Sequence, residues 1–275
     1  MKTTMFFILC VTLLISGGCT QEKSAEKTTL GMFTDYANSP EVFNGKVKEL
    51  RETNYWAAEK DGKITKGKPA SWTDLDSVGS TQNFVAYFDT TGAVTRLDHL
   101  DENNAIRSSR IATIDNGKYA RWEFKLMDST YQYMIPEYDS RGYIVSGKVY
   151  RPIVDTLISR FIATNDEKGN FTKVEFLNFK NQKGNYQLFT LNELGNTIET
   201  KLFTKDDTLI QSFVNTYNDK GFLASQKVYV EKPKSTISWV VQDLEFDDHD
   251  NCSLIYNNID EGKFKLVTER TYSYY

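Results

Sequence analysis

Tyr217-Asn218-Asp219-Lys220-Gly221-Phe222-Leu223, running on to Tyr229, is the stretch whose reading decides the fold. An Asn or Asp opening a type I turn bonds the backbone two residues on, and Gly is favoured at the fourth position. Gly also accepts the left-handed backbone that closes a hairpin into a bulge. The flanks alternate as strands do. After Gly221, Phe222, Ala224, Gln226, Val228 and Val230 share one face, and Leu223, Ser225, Lys227 and Tyr229 share the other. Before it, Ile210, Ser212, Val214 and Thr216 alternate with Gln211, Phe213, Asn215 and Tyr217. Neither flank shows the 3.6-residue period of a helix.

The unit recurs along the chain. Phe88-Asp89-Thr90-Thr91-Gly92 and Tyr138-Asp139-Ser140-Arg141-Gly142 are its nearest copies. Asp166 with Gly169 and Asn192 with Gly195 keep the polar residue and the Gly without the aromatic. Asp247 opens a version in which Asp250 replaces the Gly, and Gly117 closes a shorter turn. Counting Asn218 with Gly221, the turns close at 92, 117, 142, 169, 195, 221 and 250, in steps of 25 to 29 residues. That regularity marks one supersecondary unit used repeatedly: two strands and two turns per repeat. The reading is an all-β antiparallel meander of hairpins in one long twisted or spiralling sheet. The outermost strands are expected near 45–55 and 265–275. A closed barrel and an open spiral both satisfy the pattern.

The Tyr-Asp-x-x-Gly unit resembles the YD repeat of the RHS family. The run Gly45-Lys46-Val47-Lys48-Glu49-Leu50 and the C-terminal stretch from Phe246-Asp247-Asp248-His249 to Tyr274-Tyr275 resemble small YD-repeat-like lipoproteins of Gram-negative bacteria. The likeness covers roughly residues 43–275. It implies a spiralling β scaffold and assigns no catalytic residue.

The first residues give an address. Lys2, the apolar run from Met5 to Ile15 and the small residues Ser16-Gly17-Gly18 ahead of Cys19 describe a secretory signal. The run is too short to span a bilayer as a helix, which needs about 20 residues. Small residues directly before a Cys resemble a lipobox, with Cys19 as the lipidated residue. The expected organisation is a signal peptide over 1–18, a lipidated Cys and flexible tether over 19–40, and a single β domain over 41–275. The tether is polar and shows no strand or helix period. Cys10 falls in the leader and Cys19 takes the lipid, so Cys252 has no disulfide partner and reads as a small buried residue.

Composition excludes some functions. There are 33 Lys and Arg against 37 Asp and Glu, a net charge of −4 that speaks against nucleic acid. His249 lies in a repeat turn without the ligand spacing or Gly of a hard-metal loop. His99 stands in a strand with no partner ligand in sequence and is expected at the surface. The carboxylates Asp89, Asp139 and Asp166 lie about a repeat apart and share a turn role, unlike a converging catalytic pair. No catalytic motif, cofactor motif or metal motif is present, and no enzymatic activity is expected. The 17 Phe, 16 Tyr and 4 Trp suit cross-strand packing, with Trp122 and Trp239 mid-strand. The irregular stretch 61–80 is the longest loop in this reading. Tyr55, Trp56 and Trp72 form the expected contact region for a partner. Three functions follow as expectations. The first is an outer-membrane lipoprotein, a monomer, acting as a β-repeat binding or scaffold module for a glycan or an envelope protein. The second is an immunity protein against an intercellular toxin, and the third an envelope polymer hydrolase.

Overall fold

The computed structural model describes residues 27–30, 41–77, 82–232 and 234–275. Cys19 and most of the expected tether lie outside them. A small two-stranded sheet pairs β1 (Lys27–Leu30) with β2 (Glu41–Asn44). Lys27–Leu30 is thus a strand where the sequence reading sees an unstructured spacer. The pairing is made with residues beyond the expected boundary, so its cause is not local.

The body is one antiparallel meander: β3 (Val47–Lys60), β4 (Lys63–Pro69), helix α1 (Trp72–Ser77), β5 (Phe84–Phe88), β6 (Val94–Leu100), β7 (Ile106–Asp115), β8 (Lys118–Leu126), β9 (Ser129–Tyr138), β10 (Ile144–Arg151) and β11 (Thr156–Asn165). It continues through β12 (Phe171–Asn178), β13 (Lys183–Leu191), β14 (Thr197–Phe203), β15 (Leu209–Tyr217), β16 (Leu223–Val230), β17 (Ser235–Phe246), β18 (Cys252–Ile259) and β19 (Phe264–Tyr274). β19 pairs β3 from Leu266↔Trp56 to Tyr274↔Val47, which closes the sheet into a barrel. β3 forks: Glu49–Glu52 pair β5, whereas Tyr55–Lys60 pair β4. Sixteen strands therefore form the closed circuit and β4 is a flap on its wall. Closure removes the two unpaired edges that an open meander leaves exposed.

Each repeat turn forms as its residue types dictate. The Gly221 amide donates to the Asn218 carbonyl at 2.9 Å, and the Lys220 and Phe222 amides donate to Asn218 Oδ1. The same three bonds recur about Asp89, Asp139, Asp166, Asn192 and Asp247. Gly92, Gly142, Gly169 and Gly195 take the left-handed position, and Asp250 takes it at φ 60°. Gly117 closes a two-residue turn between paired Asp115 and Lys118. These turns make one rim, here the near rim. The opposite rim carries the β6–β7, β8–β9, β10–β11 and later connections. There Asp101, Asn178 and Thr204 repeat the same device, with Asn104, Asn181 and Asp207 at positive φ.

Burial tells the two faces apart. Leu50, Glu52 and Asn54, Phe84 and Ala86, Leu97 and His99, Trp122, Met134, Phe161 and Ala163, Val174, Thr200, Ile259, Leu266 and Arg270 share one face by register, and all are buried. A barrel encloses one face of its sheet, so this face is the interior. The other carries Arg121–Glu123, Glu137–Lys148, Lys173–Glu175 and Glu199–Lys201 ion pairs near mid-strand. Val174 is buried between the outward-facing Lys173 and Glu175, whereas Phe176 on the same face as Val174 is 40% exposed, beside the irregular register between Glu175 and Leu177.

Residues outside the wall strands pack at both rims. Phe43 packs against Phe88 and Tyr272 at the near rim, with ring centroids 6.4 and 5.7 Å away. At the far rim Ala70 and Leu75 bury against Ile259 and Leu266, with Trp56, Ile237 and Trp239 beside them. The stretch 61–80 is therefore not an irregular loop. Its described part is β4, a turn of helix and a plug. The helix starts with a reciprocal cap: Asp74 N donates to Ser71 Oγ and Ser71 N donates to Asp74 Oδ2.

Candidate functional site

The β3 fork creates a concavity on the outer wall. Where β5 begins late, β3 runs on with β4, and the gap is pinned by two Asn side chains. Asn54 donates its N and Nδ2 to Asn83 Oδ1 at 2.8 and 3.2 Å. The Leu100 amide donates to the Asn83 carbonyl, and the Ala70 amide to the Asn54 carbonyl. Gly67 belongs to this geometry, since a Cβ there would lie 2.6 Å from the Trp56 carbonyl oxygen.

The resulting groove has a volume of about 460 Å³. Arg51, Thr53 and Tyr55 of β3 and Glu269 and Thr271 of β19 form its floor, and Pro69, Asn83 and the Asp101, Glu102 and Asn104 turn form its sides. Register places the five floor residues on the outward face. Arg51 donates to Asn104 Oδ1 at 3.3 Å, linking floor to side. Tyr55 Oη donates to Glu269 Oε2 at 3.3 Å, and Lys66 of the flap pairs with the other oxygen of Glu269 while lying 5.5 Å from the Tyr55 ring centre. Partial burial, then the charge of Glu269, raises the Tyr55 hydroxyl above its ordinary pKa. The hydrogen bond to Glu269 raises the Lys66 ammonium. Both stay protonated at neutral pH. The lining thus offers a guanidinium, amide groups, hydroxyls, carboxylates and one aromatic ring.

Of the three expected contact residues, the structure brings only Tyr55 to this groove. Trp56, next in the strand, turns inward by the alternation of β-structure, and its Nε1 donates to Asp74 Oδ2 at 3.1 Å. Trp72 opens the plug helix, edge-on to His99 at 6.2 Å and under the Arg107 guanidinium at 5.1 Å. His99 is buried rather than at the surface, because its position alternates inward with Leu97. His249 stacks on Tyr274 at 3.9 Å within a repeat turn. Among the described residues no His, Cys, Asp and Glu cluster suited to a metal ion is found. Cys252 is free and buried. Arg51, Asn83, Glu102 and Glu269 are missed by sequence reasoning, since the closure that unites 51 with 269 leaves no local trace. The one local signal was Ser71-Trp72-Thr73-Asp74, a capping-box pattern that marks where the chain turns inward.

No family model matches the chain, and no curated protein matches it. Among solved structures, it is similar to a porin-like protein from Bacteroides uniformis at TM-score 0.47 and 6% identity, covering 82% of this chain and 96% of that one. A porin-like protein from Bacteroides vulgatus gives TM-score 0.35 at 9% identity, with 83% and 99% covered. The Photorhabdus luminescens Tc holotoxin pore gives 0.29 at 10%, with 84% and 14% covered. Scores this low carry no functional conclusion for the chain.

Proposed function

We propose that this chain is a membrane-tethered β-barrel of the bacterial envelope that binds a polar, hydroxyl-rich polymer, of the glycan class, in the groove at the β3 fork. The observation that carries the reading is the groove itself. It is a shaped recess in the outer wall, and it sets planar polar side chains around one aromatic ring. Arg51 and Asn104 are already hydrogen-bonded to each other, so the recognition groups are held in place before a ligand arrives.

The outer wall supports tethering over insertion. A barrel that spans a bilayer turns an apolar band of about 25 Å outward, and a Lys or Arg at its midplane costs roughly 2–4 kcal/mol. Here Arg121, Lys148, Lys173 and Lys201 face outward near mid-strand, each beside a carboxylate, while the interior is apolar at its core. The barrel is built for water on its outer surface, and the leader with Cys19 supplies the attachment to the outer membrane. The YD-repeat likeness fits a scaffold of this kind.

Binding to envelope glycans on an array, followed by titration calorimetry, tests the reading. Tyr55→Ala and Arg51→Ala should each weaken binding about tenfold or more, about 1.4 kcal/mol per decade, with Trp72→Ala at the far rim leaving it unchanged. Unaltered binding in both groove variants would end the proposal. Turnover of a bound polymer, lost in Glu269→Gln, would move the chain to the hydrolase class. A toxin domain captured in place of any glycan would favour the immunity reading.

A further inference from the structure

The hairpin tips of the far rim are not alike. The β8–β9 tip exposes Leu126 and Met127, at 58% and 70%. The β10–β11 tip is the short 3-10 turn Pro152–Val154, with Ile153 90% and Val154 64% exposed. The β12–β13 tip exposes Phe179 at 57%. These three connections are consecutive on the rim, and Tyr131 at the start of β9 and Ile106 at the start of β7 stand exposed beside them. The remaining far-rim tips carry Asp61-Gly62, Asp101-Glu102-Asn103-Asn104, Lys205-Asp206-Asp207, Glu231-Lys232 and Asp260-Glu261-Gly262, all polar. Among the described residues, large exposed apolar side chains of the far-rim tips are confined to one arc.

Folding does not require this arrangement. The Asn178 turn needs its Asn and the left-handed Asn181 for closure, and Phe179 between them makes none of those bonds. In the β10–β11 tip Asp155 takes the left-handed position and Pro152 accepts its amide bond, so Ile153 and Val154 are chemically unconstrained. Burying side chains of this size stabilises a fold, and exposing several in one arc forgoes that gain. The arc also has charge. Lys125, Arg151, Lys180 and Lys183 flank the tips, against Asp128 and Asp155, and Asp155 accepts the Tyr133 hydroxyl. Lys180 lies 5.4 Å from the Phe179 ring centre, cation and apolar surface side by side.

We infer that this arc docks on the surface of an anionic lipid bilayer, with Met127, Ile153, Val154 and Phe179 dipping into the headgroup boundary and the Lys and Arg side chains meeting lipid phosphates. The tips are separate convex points about 10 Å apart, two strand spacings each. Separate points fit a fluid surface that closes around each of them, and basic residues beside apolar ones are the composition of interfacial binding. The inference is independent of the groove, which opens on the wall and uses other residues.

Hydrogen exchange of the full chain tests it, because the readout is local to each tip. On vesicles of phosphatidylcholine with phosphatidylglycerol, peptides covering 126–131, 151–156 and 178–183 should exchange at least threefold more slowly than in solution, while 204–208 should not change. The triple variant Met127→Ser, Ile153→Ser, Phe179→Ser should lose that slowing and keep the parent's protection around Trp122. Unchanged exchange at the tips, equal slowing at 204–208, or equal slowing on vesicles of phosphatidylcholine alone would overturn the inference. Slowing at the tips with envelope protein extract and none with lipid would also overturn it, in favour of a protein partner.

Discussion

Arg270 Nε donates to Glu52 Oε2 across 2.9 Å, with the two side chains 4% and 1% exposed, and this ion pair spans the seam that closes the barrel. The residues are 218 positions apart. Asn54, two residues on in β3, accepts from Thr268, two residues back in β19, at 2.7 Å. The seam is thus polar inside where the neighbouring wall is apolar. Polar seam groups match only one register, since a one-residue slip would turn each of them to the opposite face.

Breaking this pair from one side leaves a charge inside the barrel. Arg270→Met should cost about 3–5 kcal/mol in urea unfolding, and Glu52→Leu with Arg270→Met together should recover most of it. A single variant as stable as the parent would show that the pair is solvated.

The far-rim plug should respond to acid. The Trp56 indole, then the Ser71 groups, hold the Asp74 carboxyl below the usual carboxylate range. A depressed folded pKa contributes stability above the unfolded value, about 3.9. That contribution fades as pH falls through the lower folded value. Indole emission and exchange of 72–77 should therefore loosen on the acid side of about pH 4, and Asp74→Asn should flatten that limb. Ser71→Ala should cost about 1 kcal/mol. An acid limb equally steep in Asp74→Asn would place the titration elsewhere.

The repeat turns were legible because their chemistry is local. Asn218 and Gly221 make every bond of their turn within five residues, so spacing and residue type are enough. Packing was legible at mid-strand Trp122, which is fully buried. It was not legible at His99, since a polar residue at an inward position gives no signal of burial. Closure was undecidable: Leu266↔Trp56 needs the summed twist and stagger of all the strands between them. The groove depends on that closure, and Tyr55 was found only as an aromatic in the right neighbourhood. Adjacent Trp56 was grouped with it although strand alternation sends neighbours to opposite faces.

One repeat turn departs from the pattern in a way that sets a sign. Gly221 has φ +83° and open space around a would-be Cβ, so Gly221→Ala meets backbone strain and no clash. It should lose about 1 kcal/mol. Asp250 sits at φ 60° in the equivalent position, and Asp250→Gly should gain a few tenths to about 1 kcal/mol. Equilibrium denaturation of the two variants checks both, and a loss at both positions would mean that the Asp250 side chain has a use of its own.

The wall chemistry makes the last prediction. Leu188 stands between Lys173 and Lys201 on the outer face, and Val214 between Glu199 and Lys227. These two exposed aliphatic residues are each fenced by charge, which interrupts an apolar belt across this part of the wall. Exchange of residues 1–19 for an ordinary cleaved export leader should release the barrel into the aqueous phase, folded and without detergent. The docking arc adds only a reversible affinity for anionic lipid, which salt weakens. Phase partitioning in a cloud-point detergent reads the outcome directly. A chain that stays in the detergent phase at high salt would mean that the barrel wall itself contacts lipid, and the assignment of its inner and outer faces would have to be reversed.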